Sequence, residues 1–135
     1  MYFLILQSFR SGHRHLLHLI IKPHITSFSI QLHGSTHTAM NMLQERCNDS
    51  LKSLDFVYSN TMPPNYYISF FAHFKNLTKL NIYASLVDDA GFRAIGESCR
   101  KLVELNAGST YITNVGIKYL SVEEALVPCI TNQYR

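Results

Sequence analysis

The hydrophobic residues of the chain follow a spacing that recurs every 25 or 26 residues. Four segments carry an apolar residue at a first position, a second one three residues later and a third one five residues later. These triplets are Ile25, Phe28 and Ile30; Leu51, Leu54 and Phe56; Leu77, Leu80 and Ile82; and Leu102, Leu105 and Ala107. Alternation of this kind is typical of a β-strand with one buried face. The constant interval predicts a chain built of internal repeats.

A second set of apolar residues follows each triplet at a helical spacing of three and then four residues. Its members are Met40, Leu43 and Cys47; Tyr67, Phe70 and Phe74; Phe92, Ile95 and Cys99; and Ile117 and Leu120, after which Glu124 interrupts the pattern. Residues with this spacing lie on one face of an α-helix. Each repeat is therefore predicted to fold as a strand, a turn and a helix.

Residues that favour helix ends stand beside the predicted helices. The expected N-caps are Ser35 or Thr36, Asn65, Asp88 and Thr113. In the third complete repeat, the acidic pair of Asp88 and Asp89 is expected to open the helix and the basic pair of Arg100 and Lys101 to close it, which matches the helix dipole. Pro63 and Pro64 are expected to interrupt the chain in the turn before the second helix.

A strand-plus-helix unit of this length with the pattern Leu-x-x-Leu-x-Leu resembles a leucine-rich repeat. The segments "VDDAGFRAIGESCRKL" (87–102) and "ITNVGIKYL" (112–120) are similar to its cysteine-containing class, in which the pattern is roughly I-T-D-x-G-L-x-x-L-A-x-x-C-x-x-L. That class is typical of the substrate-binding arms of F-box proteins in ubiquitin ligases and of antagonist-of-mitotic-exit-type proteins. The resemblance covers about residues 25 to 120, and no F-box sequence stands before the repeats. The position eight residues after each start, often Asn or Cys in the family, holds His33, Ser59, Ser85 and Thr110.

The resemblance implies an α/β leucine-rich-repeat solenoid. We expect a horseshoe segment with a parallel β-sheet on the concave side and helices on the convex side. Residues 1–24 are expected to form a degenerate first repeat or an N-terminal cap, and residues 127–135 a truncated repeat or a tail. Between them, residues 25–126 divide into four repeats, 25–50, 51–76, 77–101 and 102–126. Since neither end carries a clear polar cap, we expect a fragment, a short isoform or a module completed by a partner.

Composition and charge exclude some classes of binding partner. Hydrophobic residues make up 47% of the 135-residue chain, enough for the core of one domain. The formal net charge is +3, and the basic residues are scattered rather than clustered, so the sequence predicts no nucleic-acid interface. The apolar runs "MYFLIL" and "LLHLII" are too short for a membrane span, and we expect no membrane partner.

The cysteines are predicted to be structural. Cys47, Cys99 and Cys129 form no C-x-x-C pair, which favours a reducing compartment and hence the cytoplasm or the nucleus. Cys47 and Cys99 occupy equivalent positions two repeats apart, where stacked strands would separate them by about 10 Å, too far for a disulfide. Both thiols are expected to be buried as small apolar groups.

The sequence contains no catalytic or phosphate-binding motif of the common kinds. We therefore expect a protein that is not an enzyme, with no cofactor and no small-molecule substrate. The candidate metal ligands are the histidines at positions 13, 15, 18, 33 and 37. No paired cysteine or acidic ligand accompanies them in the sequence, so no metal site is predicted.

The outward-facing strand residues are the candidate binding site. Those expected to contact a protein partner on the concave face are Leu32, Asp55, Tyr58, Lys79, Asn81, Tyr83, Glu104 and Asn106. The resemblance implies substrate recognition in SCF-type ubiquitin-dependent degradation, with a ligase substrate or adaptor as the partner. The alternative is a structural or assembly factor of the short-solenoid type. That alternative could be mitochondrial, since the first 44 residues are basic and contain no acidic residue.

Overall fold

The structure is a computed structural model that describes residues 3–6, 21–31, 36–57, 62–120 and 130–131. Six strands and four helices lie within these residues. In chain order they are β1 (Phe3–Leu6), β2 (Ser27–Gln31), α1 (Thr36–Arg46), β3 (Ser53–Val57), α2 (Pro64–Phe71), β4 (Lys79–Asn81), α3 (Asp89–Ser98), β5 (Glu104–Asn106), α4 (Asn114–Leu120) and β6 (Ile130–Thr131).

The six strands form one parallel sheet in which each strand lies beside its neighbours in the sequence, in the order β1-β2-β3-β4-β5-β6. Ser27 lies opposite Ser53, Ser53 opposite Lys79 and Lys79 opposite Glu104. These offsets equal the 26, 26 and 25 residues that separate the apolar triplets. The predicted period is thus confirmed as the register of the sheet.

The same register extends to both ends of the sheet. Phe3 lies opposite Ser27, and Leu105 lies opposite Ile130. A parallel sheet whose strands alternate with helices makes the protein an α/β fold, as the sequence predicts. Consecutive helices pack against each other, α2 on α3 and α3 on α4. Within the described part of the chain, no helix has the length and apolarity needed to span a membrane.

The core lies between the sheet and the helices, and its members are the residues of the two predicted apolar sets. The inward strand residues Phe28, Leu54, Leu80 and Leu105 are all buried. The buried helix residues are Met40, Leu43 and Cys47 in and just after α1, Tyr67, Phe70 and Phe74 in and after α2, and Phe92, Ile95 and Cys99 in and after α3. Strand and helix side chains belong to one continuous cluster. The predicted division of each repeat into strand and helix is confirmed for these units.

One predicted helix cap is wrong. Helix α2 begins at Pro64, and its N-cap is Pro63 in an extended conformation (φ −67°, ψ 151°) without a side-chain cap, whereas Asn65 lies inside the helix. Proline suits the first position of a helix because its fixed φ is already helical and its missing N–H would have no helical acceptor there. The two prolines therefore start this helix rather than merely interrupting the turn before it.

The ends of helix α3 agree with the sequence in part. Asp88 is its N-cap and accepts a hydrogen bond from the Gly91 N–H at 3.1 Å, as predicted. The helix ends at Ser98, so Arg100 and Lys101 lie beyond it. Arg100 still contributes to the end of the helix, because its Nε donates to the Glu97 carbonyl at 3.1 Å.

Asp89 connects two helices instead of supporting only its own. Its Oδ1 accepts hydrogen bonds from the N–H groups of Thr113 at 2.8 Å and Gly116 at 3.1 Å, and its Oδ2 accepts from the Thr113 hydroxyl at 2.5 Å. Gly116 permits this approach, since a Cβ at that position would lie 2.3 Å from Asp89 Oδ1. A carboxylate in the first turn of α3 thus caps α4, which follows it in the stack.

Candidate functional site

The outward side chains of β3, β4 and β5 form two rows across the sheet. Ser53, Lys79 and Glu104 lie opposite one another, and we call them the ion-pair row. Asp55, Asn81 and Asn106 lie opposite one another two residues further along, and we call them the amide row. Neighbouring strands of a sheet are about 4.8 Å apart, so each row spans roughly 10 Å.

These two rows line an open groove of about 460 Å³, which we call the strand groove. Its lining consists of residues 53–55 on β3, 79–81 on β4 and 104–106 on β5. The leucine at the middle of each segment points into the core, so polar and charged side chains flank the groove. The surface therefore offers hydrogen-bond donors, acceptors and charges to an incoming molecule.

The ion-pair row contains a solvated salt bridge. Lys79 Nζ lies 3.5 Å from Glu104 Oε2, and the two side chains are 57% and 60% exposed. An ion pair in such a position contributes less than about 1 kcal/mol to stability, because water screens the charges and the long side chains lose entropy. Both side chains remain open to a partner, and their removal should leave the fold intact.

Asp55 has the most unusual environment in the strand groove. Its Oδ1 is buried and has no hydrogen-bond partner among the described residues. Burial raises the pKa of the Asp55 carboxyl above its ordinary value of 3.8, while a hydrogen bond from the Asn81 side chain lowers it by less. A half-buried carboxylate with an unpaired oxygen weakens the folded state, so its presence is more readily explained by binding than by stability.

We expect Asp55→Asn to stabilise the protein at pH 7 and to lose this advantage in acid. Since the folded-state pKa is raised, the cost of the carboxylate is present above that pKa and disappears as the pH falls below 3.8. The expected gain is about 0.5 kcal/mol, because the half-exposed group is partly screened by solvent. Urea unfolding of both proteins between pH 3 and 8 measures the difference. A gain that stays constant over this range would contradict the assigned environment.

The asparagines of the amide row hold the turns that end their strands. Asn81 Oδ1 accepts a hydrogen bond from the Tyr83 N–H, and Asn106 Oδ1 accepts one from the Gly108 N–H, both at 3.1 Å. Each turn then contains a residue in the left-handed region, Ala84 (φ 56°) or Ser109 (φ 55°). Asparagine side chains stabilise such turns by bonding to the backbone two residues on. Substituting these asparagines would therefore disturb the fold as well as the groove.

The structure brings together five of the eight residues predicted to contact a partner. Asp55, Lys79, Asn81, Glu104 and Asn106 all line the strand groove. Tyr83 lies beyond this lining, where its ring covers Gly108 so closely that a Cβ there would lie 2.9 Å from the Tyr83 ring. Leu32 and Tyr58 are outside the described residues.

The two cysteines of the second apolar set, Cys47 and Cys99, are enclosed in the core. Cys47 and Cys99 are free thiols, and both are buried, as the sequence predicts. Burial raises the pKa of Cys99 to about 12, and it also raises the pKa of Cys47, where Ser50 and Arg46 partly oppose it. Each thiol donates to a backbone carbonyl, Cys47 to Lys22 at 3.2 Å and Cys99 to Phe71 at 3.8 Å.

We expect Cys47 and Cys99 to resist alkylation in the folded protein. At a pKa of about 12, Cys99 has roughly a thousandfold smaller thiolate fraction near neutral pH than a cysteine at the ordinary 9.0. Iodoacetamide labelling at pH 8 with peptide mass spectrometry would measure this, with labelling in urea as the control. Rapid modification of Cys99 in the native protein would show that its side chain is not enclosed.

No group of three His, Cys, Asp or Glu side chains is arranged for a metal ion within the described residues. Of the histidines considered above, His37 is exposed in α1, and those at positions 13, 15, 18 and 33 lie outside the described residues. Comparison with protein-family models, with curated proteins and with solved structures found no match to this chain.

Proposed function

We propose that the protein is a non-catalytic protein-binding module with leucine-rich-repeat architecture, and that the strand groove receives its partner. The observation that carries this proposal is the in-register arrangement of the two rows, which gathers Asp55, Lys79 and Glu104 on one accessible face of the sheet. Proteins built from stacked repeats commonly bind through such an extended face.

Three features support the repeat architecture. The strands are offset by the predicted 25 or 26 residues, the leucines of Leu-x-x-Leu-x-Leu point into the core, and Cys47 and Cys99 fill equivalent buried positions. In this proposal the repeats are 25–50, 51–76, 77–101 and 102–126, and the strand side of the solenoid is concave.

The dimensions of the strand groove favour an extended protein segment as the ligand. The side chains on one face of an extended chain recur about every 7 Å, and each row spans roughly 10 Å across three strands. Two consecutive same-side residues of a bound segment would therefore contact one row. The charged and amide groups can bond to backbone and side chains of such a segment.

A narrower form of the proposal follows from the cysteine-class resemblance. In this form the module recognises a substrate for SCF-type ubiquitin-dependent degradation, and a ligase adaptor would be recovered with it. Affinity capture from cells followed by mass spectrometry tests this form. Recovery of partners without an adaptor or cullin would contradict the ligase role and would leave the binding module standing.

Two exposed ion pairs give a matched test of the groove itself. The Lys79–Glu104 pair lies in the strand groove, and the Arg93–Glu97 pair lies on helix α3 with nearly the same exposure, 59% for each side chain. We expect Lys79→Ala/Glu104→Ala to reduce partner recovery about fivefold, because it removes two contact side chains, whereas Arg93→Ala/Glu97→Ala leaves recovery unchanged. Equal recovery with both variants would contradict the assignment of the groove as the binding surface.

A further inference from the structure

The strand groove carries a charge that its own residues leave uncompensated. It contains three ionisable side chains, those of Asp55, Lys79 and Glu104. Lys79 is 3.5 Å from Glu104, so these two charges offset each other. Asp55 lies in the other row, where its neighbours on β4 and β5 are the neutral Asn81 and Asn106.

The contacts of Asp55 within the described residues supply no positive charge to its carboxylate. Asn81 uses its Oδ1 to hold the Tyr83 N–H, and the effect of its side chain on the pKa of Asp55 is smaller than that of burial. Asp55 Oδ1 is buried and has no hydrogen-bond partner in the described part of the chain. A neutral amide satisfies only part of a carboxylate, since two carboxylate oxygens accept about four hydrogen bonds.

We propose that the segment bound in the strand groove presents a lysine or arginine side chain to Asp55. This inference rests on the proposed function and specifies the chemistry of the partner. A guanidinium or ammonium group brings the positive charge and the several donors that the Asp55 carboxylate lacks. Pairing across the groove would also offset the free-energy cost of the half-buried carboxylate. That cost is present in the free protein and would be reduced in the complex.

The position of Asp55 also indicates how the bound segment would be oriented in the strand groove. Asp55 lies at the β3 end of the amide row, with Asn106 at the β5 end. A basic side chain at Asp55 therefore places the next same-side residue of an extended segment about 7 Å away, over β4 and β5. There it meets amide groups and the Lys79–Glu104 pair, which favour a polar side chain.

Selection from a random-peptide phage library tests the charge preference with a defined probe. The library is panned on the full wild-type chain, and the affinities of selected peptides are measured for wild type, Asp55→Asn, Glu97→Gln and Lys79→Ala/Glu104→Ala. Asp55→Asn removes one negative charge from the groove with little change in shape. Glu97→Gln removes one from helix α3, away from the groove, and controls for net charge.

We expect the selected peptides to be enriched in Lys or Arg, to bind Asp55→Asn about fivefold more weakly than wild type, and to bind Glu97→Gln as tightly as wild type. If the selected peptides are not enriched in Lys or Arg but bind Lys79→Ala/Glu104→Ala more weakly than wild type, the inference is overturned and the groove remains the binding surface. Peptides that bind all these variants equally would overturn both the inference and the proposed function.

Discussion

Phe56→Ala is expected to lower the free energy of unfolding by about 4 kcal/mol, the largest effect of any single substitution considered. Phe56 is fully buried at the end of β3. Its ring stacks on Tyr67 with centroids 5.8 Å apart and meets Phe70 edge-on at 6.3 Å. Truncation removes these contacts and leaves a cavity between the sheet and α2. Because a small domain has only about 5–15 kcal/mol of stability, the variant should be largely unfolded well before the wild type in urea.

Urea unfolding followed by far-ultraviolet circular dichroism measures this effect. Val115→Ala is the control, since that side chain is 54% exposed and its truncation should change stability by less than about 0.5 kcal/mol. If Phe56→Ala were no more destabilising than Val115→Ala, the result would contradict the described packing of α2 on the sheet.

Asp89→Ala is expected to lower the free energy of unfolding by about 2 kcal/mol, twice the effect of Asp88→Ala. Asp88 accepts one hydrogen bond from Gly91 within its own helix. Asp89 accepts three hydrogen bonds from Thr113 and Gly116 on the next unit. Its loss should weaken the start of α4, where only the Thr113 hydroxyl bond to the Val115 N–H would remain as a side-chain cap, and should separate α4 from α3.

The adjacent aspartates make this comparison well controlled, since the same chemical change is made one residue apart. Hydrogen exchange gives a second readout: the Thr113 and Gly116 amides should exchange faster in Asp89→Ala and remain protected in Asp88→Ala. An equal or larger loss of stability in Asp88→Ala would contradict the link between the two helices.

The register of the sheet could be predicted because it depends on a pattern that repeats along the chain. Leu54, Leu80 and Leu105 must all face the core, and a shift of one residue would expose each of them. The same alternation places Asp55 and Asn81 on the outward face. Both the sheet and most of the groove lining therefore follow from the positions of apolar residues.

Contacts between units could not be predicted in the same way. As a helix-opening residue, Asp89 was expected to support α3, yet its carboxylate caps α4 because Gly116 leaves space for it. Tyr83 was predicted on the binding face, but the close approach of its ring to Gly108 of the next unit was not predicted. Both outcomes depend on the spacing of side chains from different repeats, which a local pattern does not encode.

The start of α2 was missed for a different reason. The sequence offers both Asn65 as a cap and Pro64 as a first helical residue. These two signals place the helix start at different residues, and the structure follows the proline. The unpaired oxygen of Asp55 was likewise beyond prediction, since it depends on which neighbours reach the carboxylate.

The strand groove exists because β3, β4 and β5 lie side by side in register. Cross-linking of paired cysteines tests this arrangement directly. Two double variants place cysteines on neighbouring strands about 4.8 Å apart, Ser53→Cys/Lys79→Cys and Lys79→Cys/Glu104→Cys. A third, Ser53→Cys/Glu104→Cys, places them on strands about 10 Å apart. The Cα atoms of a disulfide lie about 4.4–6.8 Å apart.

Each pair is introduced together with Cys129→Ser, oxidised mildly in dilute solution and mapped by peptide mass spectrometry. Cys47 and Cys99 can remain in place because both are buried. We predict intramolecular cross-links in the two neighbouring pairs and none in the distant pair. Cross-linking of the distant pair as readily as the others, or of neither neighbouring pair, would contradict the sheet and the groove built on it.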